Sequence, residues 1–180
     1  MRLKIPYVDA HCHVYNISID RLRKICRQMV IVGVSEDLET SKIVIRMSKE
    51  APNVIPMVGV HPWLVKKTSY KELQDIVELV KEAKGFGEVG LDGKIGGMEK
   101  QLDFLERFLE VASEYDVPIN LHARGAWREV FEIVAKYDIR KAIFHWYSGP
   151  TELLSDMESK GYYITINPCV VFQEKHMNVL

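Results

Sequence analysis

Seven short apolar runs, with helix-patterned segments between them, constrain the fold more than any other feature of this sequence. The runs are Tyr7–Ala10, Met29–Val34, Val54–Val60, Phe86–Leu91, Ile119–Leu121, Ala142–Phe144 and Tyr162–Ile166. Most are rich in β-branched or aromatic residues and bounded by Gly, Pro or polar residues, which is the pattern of strands buried on both faces. Between them, Ser69-Tyr70-Lys71-Glu72 has the form of a capping box, and Leu73, Ile76, Val77 and Val80 follow along one helix face. Leu102, Leu105, Leu109 and Ala112 make a second stripe, Val130, Ile133, Val134 and Tyr137 a third, and Leu153, Leu154 and Met157 a shorter one. The strands recur at intervals of roughly 20 to 32 residues, the size of a βα unit. Such alternation predicts a parallel sheet, either open and doubly wound or closed as a (β/α)₈ barrel. Pattern alone leaves that choice open.

No linker or low-complexity stretch interrupts the rhythm, and 180 residues are enough for one domain with a real core, so residues 1–180 read as a single domain. No apolar run approaches the roughly 18 residues of a membrane-spanning helix. The segment Met1–Pro6 is too short and too polar for a secretory signal. Three cysteines, Cys12, Cys26 and Cys169, include no C-x-x-C pair, and the expectation is a reducing, cytoplasmic setting. Lys and Arg number 24 against 25 Asp and Glu, which excludes a protein that coats long duplex DNA. Any nucleic-acid contact should be local, and the basic runs around Arg23 and Lys67 read as solvated faces.

The histidines carry the chemistry. In an extended chain, residues two apart point to one face, so His11 and His13 can aim at one ion while Cys12 points away. A lone H-x-H is a weak signal. His61, His122 and His145 strengthen it by falling at the ends of the third, fifth and sixth strands, with Glu88 inside the fourth. In a parallel barrel these strand ends open on one rim, where active sites sit. Imidazole with carboxylate suits Zn²⁺, Mn²⁺ or Fe²⁺ better than an ion that prefers an all-oxygen cage. Trp146, directly after His145, is a candidate to face a ligand, whereas Met57, Trp63, Phe104, Phe108 and Trp127 read as core. Gly85-Phe86-Gly87-Glu88-Val89-Gly90 matches G-x-G-x-x-G, but a helix precedes it and a loop follows it, the reverse of a dinucleotide fingerprint. These glycines read instead as close backbone packing beside a metal. There is no G-x-S-x-G elbow, no H-E-x-x-H and no Walker loop.

Six segments occur in an order that resembles a known family: Asp9-Ala10-His11-Cys12-His13, Gly59-Val60-His61-Pro62, Gly87–Asp92, Gln101 with Phe104, Pro118–Arg124 and His145–Gly149. Together they resemble the TatD family of metal-dependent deoxyribonucleases, among the amidohydrolase-like barrels, from about Tyr7 to Asn167. The resemblance implies a (β/α)₈ TIM-type barrel with two divalent ions (Zn, Mn or Mg). It would make His11, His13 and Glu88 ligands of one ion, with Glu88 bridging to a second ion held by His122 and His145. It places His61 and Arg124 near the substrate phosphate, and Arg124 can donate two parallel hydrogen bonds there.

The family's last strand also carries an aspartate that binds metal and acts as base on the attacking water. This chain ends at Leu180, and Asp92 does not take that place in the pattern. The expectation is therefore a seven-stranded barrel lacking its last βα unit: a fragment, one half of a split protein, or a form closed by oligomerising or by a complementing chain. Its expected activity is hydrolysis of phosphodiesters in DNA, from single-stranded ends. The alternatives are a metal-binding remnant that works through a partner and an amidohydrolase-type enzyme acting on another bond.

Overall fold

A computed structural model of the chain describes residues 7–177 and 179. Among the described residues seven parallel strands run in chain order: β1 (Tyr7–Cys12), β2 (Met29–Gly33), β3 (Val54–Pro56), β4 (Phe86–Gly90), β5 (Ile119–His122), β6 (Ala142–Phe144) and β7 (Tyr163–Ile164). β1, β2 and β3 pair in that order, as do β4 to β7. A parallel bridge between Val58 and Phe86 joins the two groups. Sequential neighbours thus pair throughout and the strand order never reverses, which is the barrel topology and not the doubly wound one.

Curvature is visible in contacts across the interior. Neighbouring strands lie about 4.8 Å apart, so a flat sheet would hold β1 and β5 roughly 19 Å apart. Yet Asn120 on β5 donates from Nδ2 to the Ala10 carbonyl on β1 at 2.7 Å, and its Oδ1 lies 2.9 Å from His11 Nδ1. The sheet is bent into a partial barrel. Among the described residues no strand pairs with the outer edge of β1 or of β7, and Tyr7, Val8 and Tyr163 are exposed there.

The helices follow their strands: α1 (Ile19–Ile25), α2 (Leu38–Glu50), α3 (Tyr70–Glu78), α4 (Met98–Tyr115), α5 (Trp127–Lys136), α6 (Leu153–Ser159) and the short α7 (Glu174–Met177). At Ser69 the expected capping box forms, with Ser69 Oγ accepting from the Glu72 amide and Glu72 accepting from the Ser69 amide. α2 is an addition to the helices that the apolar stripes predict. Its start is marked by a second box, in which Asp37 accepts from the Thr40 amide and the Thr40 hydroxyl accepts from the Asp37 amide. Phe86, Phe104, Leu105, Phe108 and Leu109 are all buried in the main core beneath α4.

Strand lengths depart from the sequence expectation most at β3, which stops at Pro56 although the apolar run continues to Val60. Beyond it the ladder is broken by side chains and loop carbonyls: Ser35 Oγ takes the Gly59 amide, and the Glu36 carbonyl takes the His61 amide. His61 therefore sits in the loop after β3. β1 and β4 each carry one extra residue relative to their neighbours. Asp9 to Cys12 spans the same stretch as Ile31 to Gly33, and Phe86 to Val89 the same stretch as Ile119 to Leu121. Such insertions re-aim a side chain. In β4 the shift leaves Phe86 packed on Phe108, with ring centroids 5.0 Å apart, while Glu88 turns to the histidines.

Candidate metal centre

One buried carboxylate gathers four imidazoles from three different segments. Glu88 is 2% exposed. Its Oε2 lies 3.2 Å from His11 Nε2 and 3.5 Å from His13 Nε2, and its Oε1 lies 2.7 Å from His122 Nδ1 and 3.3 Å from His61 Nε2. His145, just past β6, stacks on His11 with ring centroids 3.4 Å apart. Two groups have ligand atoms that all lie within 4.8 Å of one another: His11, Glu88 and His145, and His61, Glu88 and His122. All five rim histidines predicted from the sequence therefore converge on Glu88. The grouping differs from the one the resemblance implies, since His145 joins His11 and His61 joins His122. The sixth, His176, is buried in α7.

Hydrogen-bond partners sort the imidazoles by role. Asn120 Nδ2 is committed to the Ala10 carbonyl, so its Oδ1 accepts from His11 Nδ1–H. That leaves a lone pair on His11 Nε2, the nitrogen facing Glu88. This indirect support fixes a tautomer suited to a metal ligand. His61 has the opposite arrangement. Its Nδ1 accepts from the Trp63 amide at 3.1 Å, so Nε2 carries the hydrogen and donates toward Glu88. His13 Nδ1 pairs with the Tyr15 hydroxyl at 2.8 Å.

Charge and burial point the same way. Burial alone would raise the Glu88 carboxyl, but the surrounding imidazoles hold it far below the usual carboxylate range. Burial, reinforced by His11, pushes His145 down to about 3. His145 is thus neutral near pH 7 and its nitrogen lone pair is free. Burial likewise lowers His13. His11 Nε2 and His145 Nδ1 are both buried without a hydrogen-bond partner. A buried polar atom without a partner is costly. Two of them in the cluster around one anionic carboxylate fit a divalent cation, and this nitrogen–oxygen donor set can hold Zn²⁺, Mn²⁺ or a similar ion.

Asp92, which no motif argument from the sequence placed in the site, is its second anion. It is fully buried. Its Oδ2 accepts from Trp63 Nε1 at 2.7 Å and from Arg124 Nε at 2.9 Å and Nη2 at 2.8 Å, and it lies 3.3 Å from His122 Nε2. Burial would raise its carboxyl, and the hydrogen bonds from Trp63, the Lys94 amide and Arg124 hold it below the ordinary value. Trp63 corrects the expectation of a core residue: it is 55% exposed, because its polar edge is tied to Asp92 at the rim. Trp146 is also exposed and stacks on His145 at 4.5 Å. It borders a cleft of about 510 Å³ between β1 and β7, with Val8, Asp9, His11 and Thr165.

The glycines beside Glu88 lie within β4 and have the steric role expected of them. Gly90 has φ +144°, and a Cβ there would stand 1.9 Å from the His122 carbonyl. A Cβ on Gly87 would meet Asn120 Cβ at 2.7 Å. Side chains at either position would push β4 away from β5, and with it Glu88 from His122.

Comparison with known proteins gives the family. A family model described as TatD related DNase matches residues 8–180. An uncharacterized metal-dependent hydrolase of Methanocaldococcus jannaschii is 32% identical over 189 residues, covering 98% of this chain and 73% of that protein. Deoxyribonuclease TATDN3 of Homo sapiens is 26% identical, covering 93% of this chain and 70% of its own. Among solved structures, the TatD homologue YjjV from Escherichia coli superposes with a TM-score of 0.77 at 22% identity, over 88% of this chain and 66% of that one. The chain thus spans about two thirds to three quarters of the length of these relatives.

Proposed function

The chain belongs to the TatD-related DNase family of metal-dependent hydrolases, and from that premise we propose that it hydrolyses phosphodiester bonds in DNA, acting from single-stranded ends with two divalent ions. The observation that carries the reading is the Glu88 carboxylate, which presents one oxygen to His11 and His13 and the other to His61 and His122. We assign His11, His13, Glu88, His122 and His145 to the metals, with Glu88 between them. When bound, Zn²⁺, Mn²⁺ or Mg²⁺ supplies an acidified water and charge neutralisation at the phosphate.

The chain's own residues do the rest. Asn120 holds His11 in the tautomer that keeps Nε2 free. His61 keeps its hydrogen on Nε2 because its other nitrogen is occupied by the Trp63 amide, and that N–H, directed at Glu88 in this structure, is the one we assign to a phosphate oxygen of bound substrate. Arg124 is turned to the rim by Asp92 and brings a fixed positive charge to the same phosphate. Trp146, stacked on His145, is assigned to the substrate. The setting we assign is the cytoplasm, where Cys12, Cys26 and Cys169, all free, stay reduced. Among the described residues no helix is long and apolar enough to cross a membrane.

The test is cleavage of end-labelled single-stranded DNA with Mn²⁺, Mg²⁺ or Zn²⁺, beside metal content by equilibrium dialysis. The wild type should bind metal and cut. The double variant His122→Ala/His145→Ala should lose metal and at least roughly 100-fold in rate, since even indirect supports of a metal site are worth 10- to 100-fold. Undiminished cleavage by the double variant would sink the assignment. Metal retained without any cleavage would favour the second reading, a metal-binding barrel segment completed by another copy or chain, which the exposed edges of β1 and β7 support. Faster turnover of small amides than of phosphodiesters would point to an amidohydrolase-type reaction.

A further inference from the structure

Trp63 is the more firmly oriented of the two tryptophans exposed at the rim. An indole left 55% exposed needs something to hold it there, and Asp92 does so. A single buried oxygen, Asp92 Oδ2, accepts from Trp63 Nε1 and from Arg124 Nε and Nη2. The guanidinium carbon of Arg124 consequently lies over the indole, 5.4 Å from its centroid, and Nη1 is left outside the contact with Asp92. The indole stands edge-to-face with His61 at 4.8 Å. Asp92 Oδ2 lies 3.3 Å from His122 Nε2. A cationic plane and an aromatic plane are thus locked together beside the Glu88 cluster by a carboxylate that solvent does not reach.

Every nucleobase has a π-face, and indole and guanidinium planes are the surfaces on which unpaired bases stack. We infer that Trp63 and Arg124, held by Asp92, form a shelf that takes the unpaired base adjoining the scissile phosphate. The shelf deepens the nuclease reading and rests on it for the position of that phosphate. It selects single strands because a base inside a duplex already has both faces covered and must be pulled from the stack first. Asp92 is a positioning residue, since its carboxylate is buried behind the two groups that would meet the base.

Binding without cleavage tests the shelf. Fluorescence anisotropy in EDTA would compare a labelled oligothymidylate with the same backbone carrying abasic tetrahydrofuran residues throughout. The wild type should prefer the base-bearing strand by at least about five-fold, the lower end of what one stacked base contributes. Trp63→Ala should bind both strands alike, Trp63→Phe should keep part of the preference, and Asp92→Asn should reduce it with the circular dichroism spectrum unchanged. Equal affinity of the wild type for both strands, no binding of either, or a preference undiminished in Trp63→Ala would overturn the shelf. The cleavage assay answers the other question separately. A strand bound with base preference but never cut counts against the nuclease reading alone, and cutting without base preference counts against the shelf alone.

Discussion

His145 shows how one residue's surroundings set both its chemistry and its contribution to stability. Its imidazole is 7% exposed, stacked on His11, and held down to about 3 by burial and by that neighbour. The consequence for metal-free protein has a definite sign. Above an ordinary histidine value near 6.5, folded and unfolded chains both carry a neutral ring. Below it the unfolded chain takes up a proton that the folded chain refuses until about pH 3, so stability falls as pH falls through that window. Glu88, whose carboxyl is also depressed, adds an acid-side loss only below the usual carboxylate range. The interval from about pH 6.5 to 4.5 therefore reports the depressed histidines, His145 and with it His13, whose value burial also lowers. Urea midpoints measured there should decline with acidification in the wild type and decline less in His145→Gln; equal slopes would refute the assignment. The residue types of this site were legible in the sequence, because His11, His61, His122 and His145 all follow strand-like runs. Trp63 and Asp92 were not, since nothing in a one-dimensional pattern says that an indole N–H will reach a carboxylate twenty-nine positions away.

At the scale of elements, local signals were reliable where the chain decides for itself. The capping box at Ser69 is written in four consecutive residues, and α3 begins there. Ser69→Ala removes the acceptor for the Glu72 amide and should cost about 1 kcal/mol, within the 0.5–2 range for lost caps, read from urea denaturation with an unchanged m-value. A change below a few tenths would mean that the Glu72 half of the box suffices. Strand ends were less legible. β3 stops early because Ser35 and Glu36, from the loop after β2, capture the amides of Gly59 and His61. The extra residues in β1 and β4 escaped sequence reading for the same reason: a one-residue insertion exists only relative to a partner strand. Gly87 and Gly90 hinted at β4, but the reason for each glycine is the approach of β5.

At the scale of the molecule, the centre is assembled from residues more than a hundred positions apart, as in the bond between His11 and Asn120. Such a site is absent from the unfolded chain, so metal bound only by the folded state must stabilise it. At a free concentration 100 times the dissociation constant, the gain is about 2.7 kcal/mol. For a chain of this size that raises the melting temperature by roughly 5–10 °C. Calorimetry with Mn²⁺ or Zn²⁺, then with excess chelator, should show the rise and its reversal; a melting temperature indifferent to both would argue against a metal centre at Glu88.

Although the barrel type was implied only by the family resemblance, the sequence by itself determined the parallel α/β order and the placement of five histidines at strand ends, with Glu88 inside the fourth strand. Those follow from periodicity and from strand-end position, both of which are properties of short stretches of chain. Tertiary structure alone decided which imidazole keeps a free lone pair, which histidines share a side of Glu88, and that Asp92 ties Trp63 and Arg124 together. These depend on distances between segments that meet only when the sheet curves, and a hydrogen bond is decided over a few tenths of an ångström.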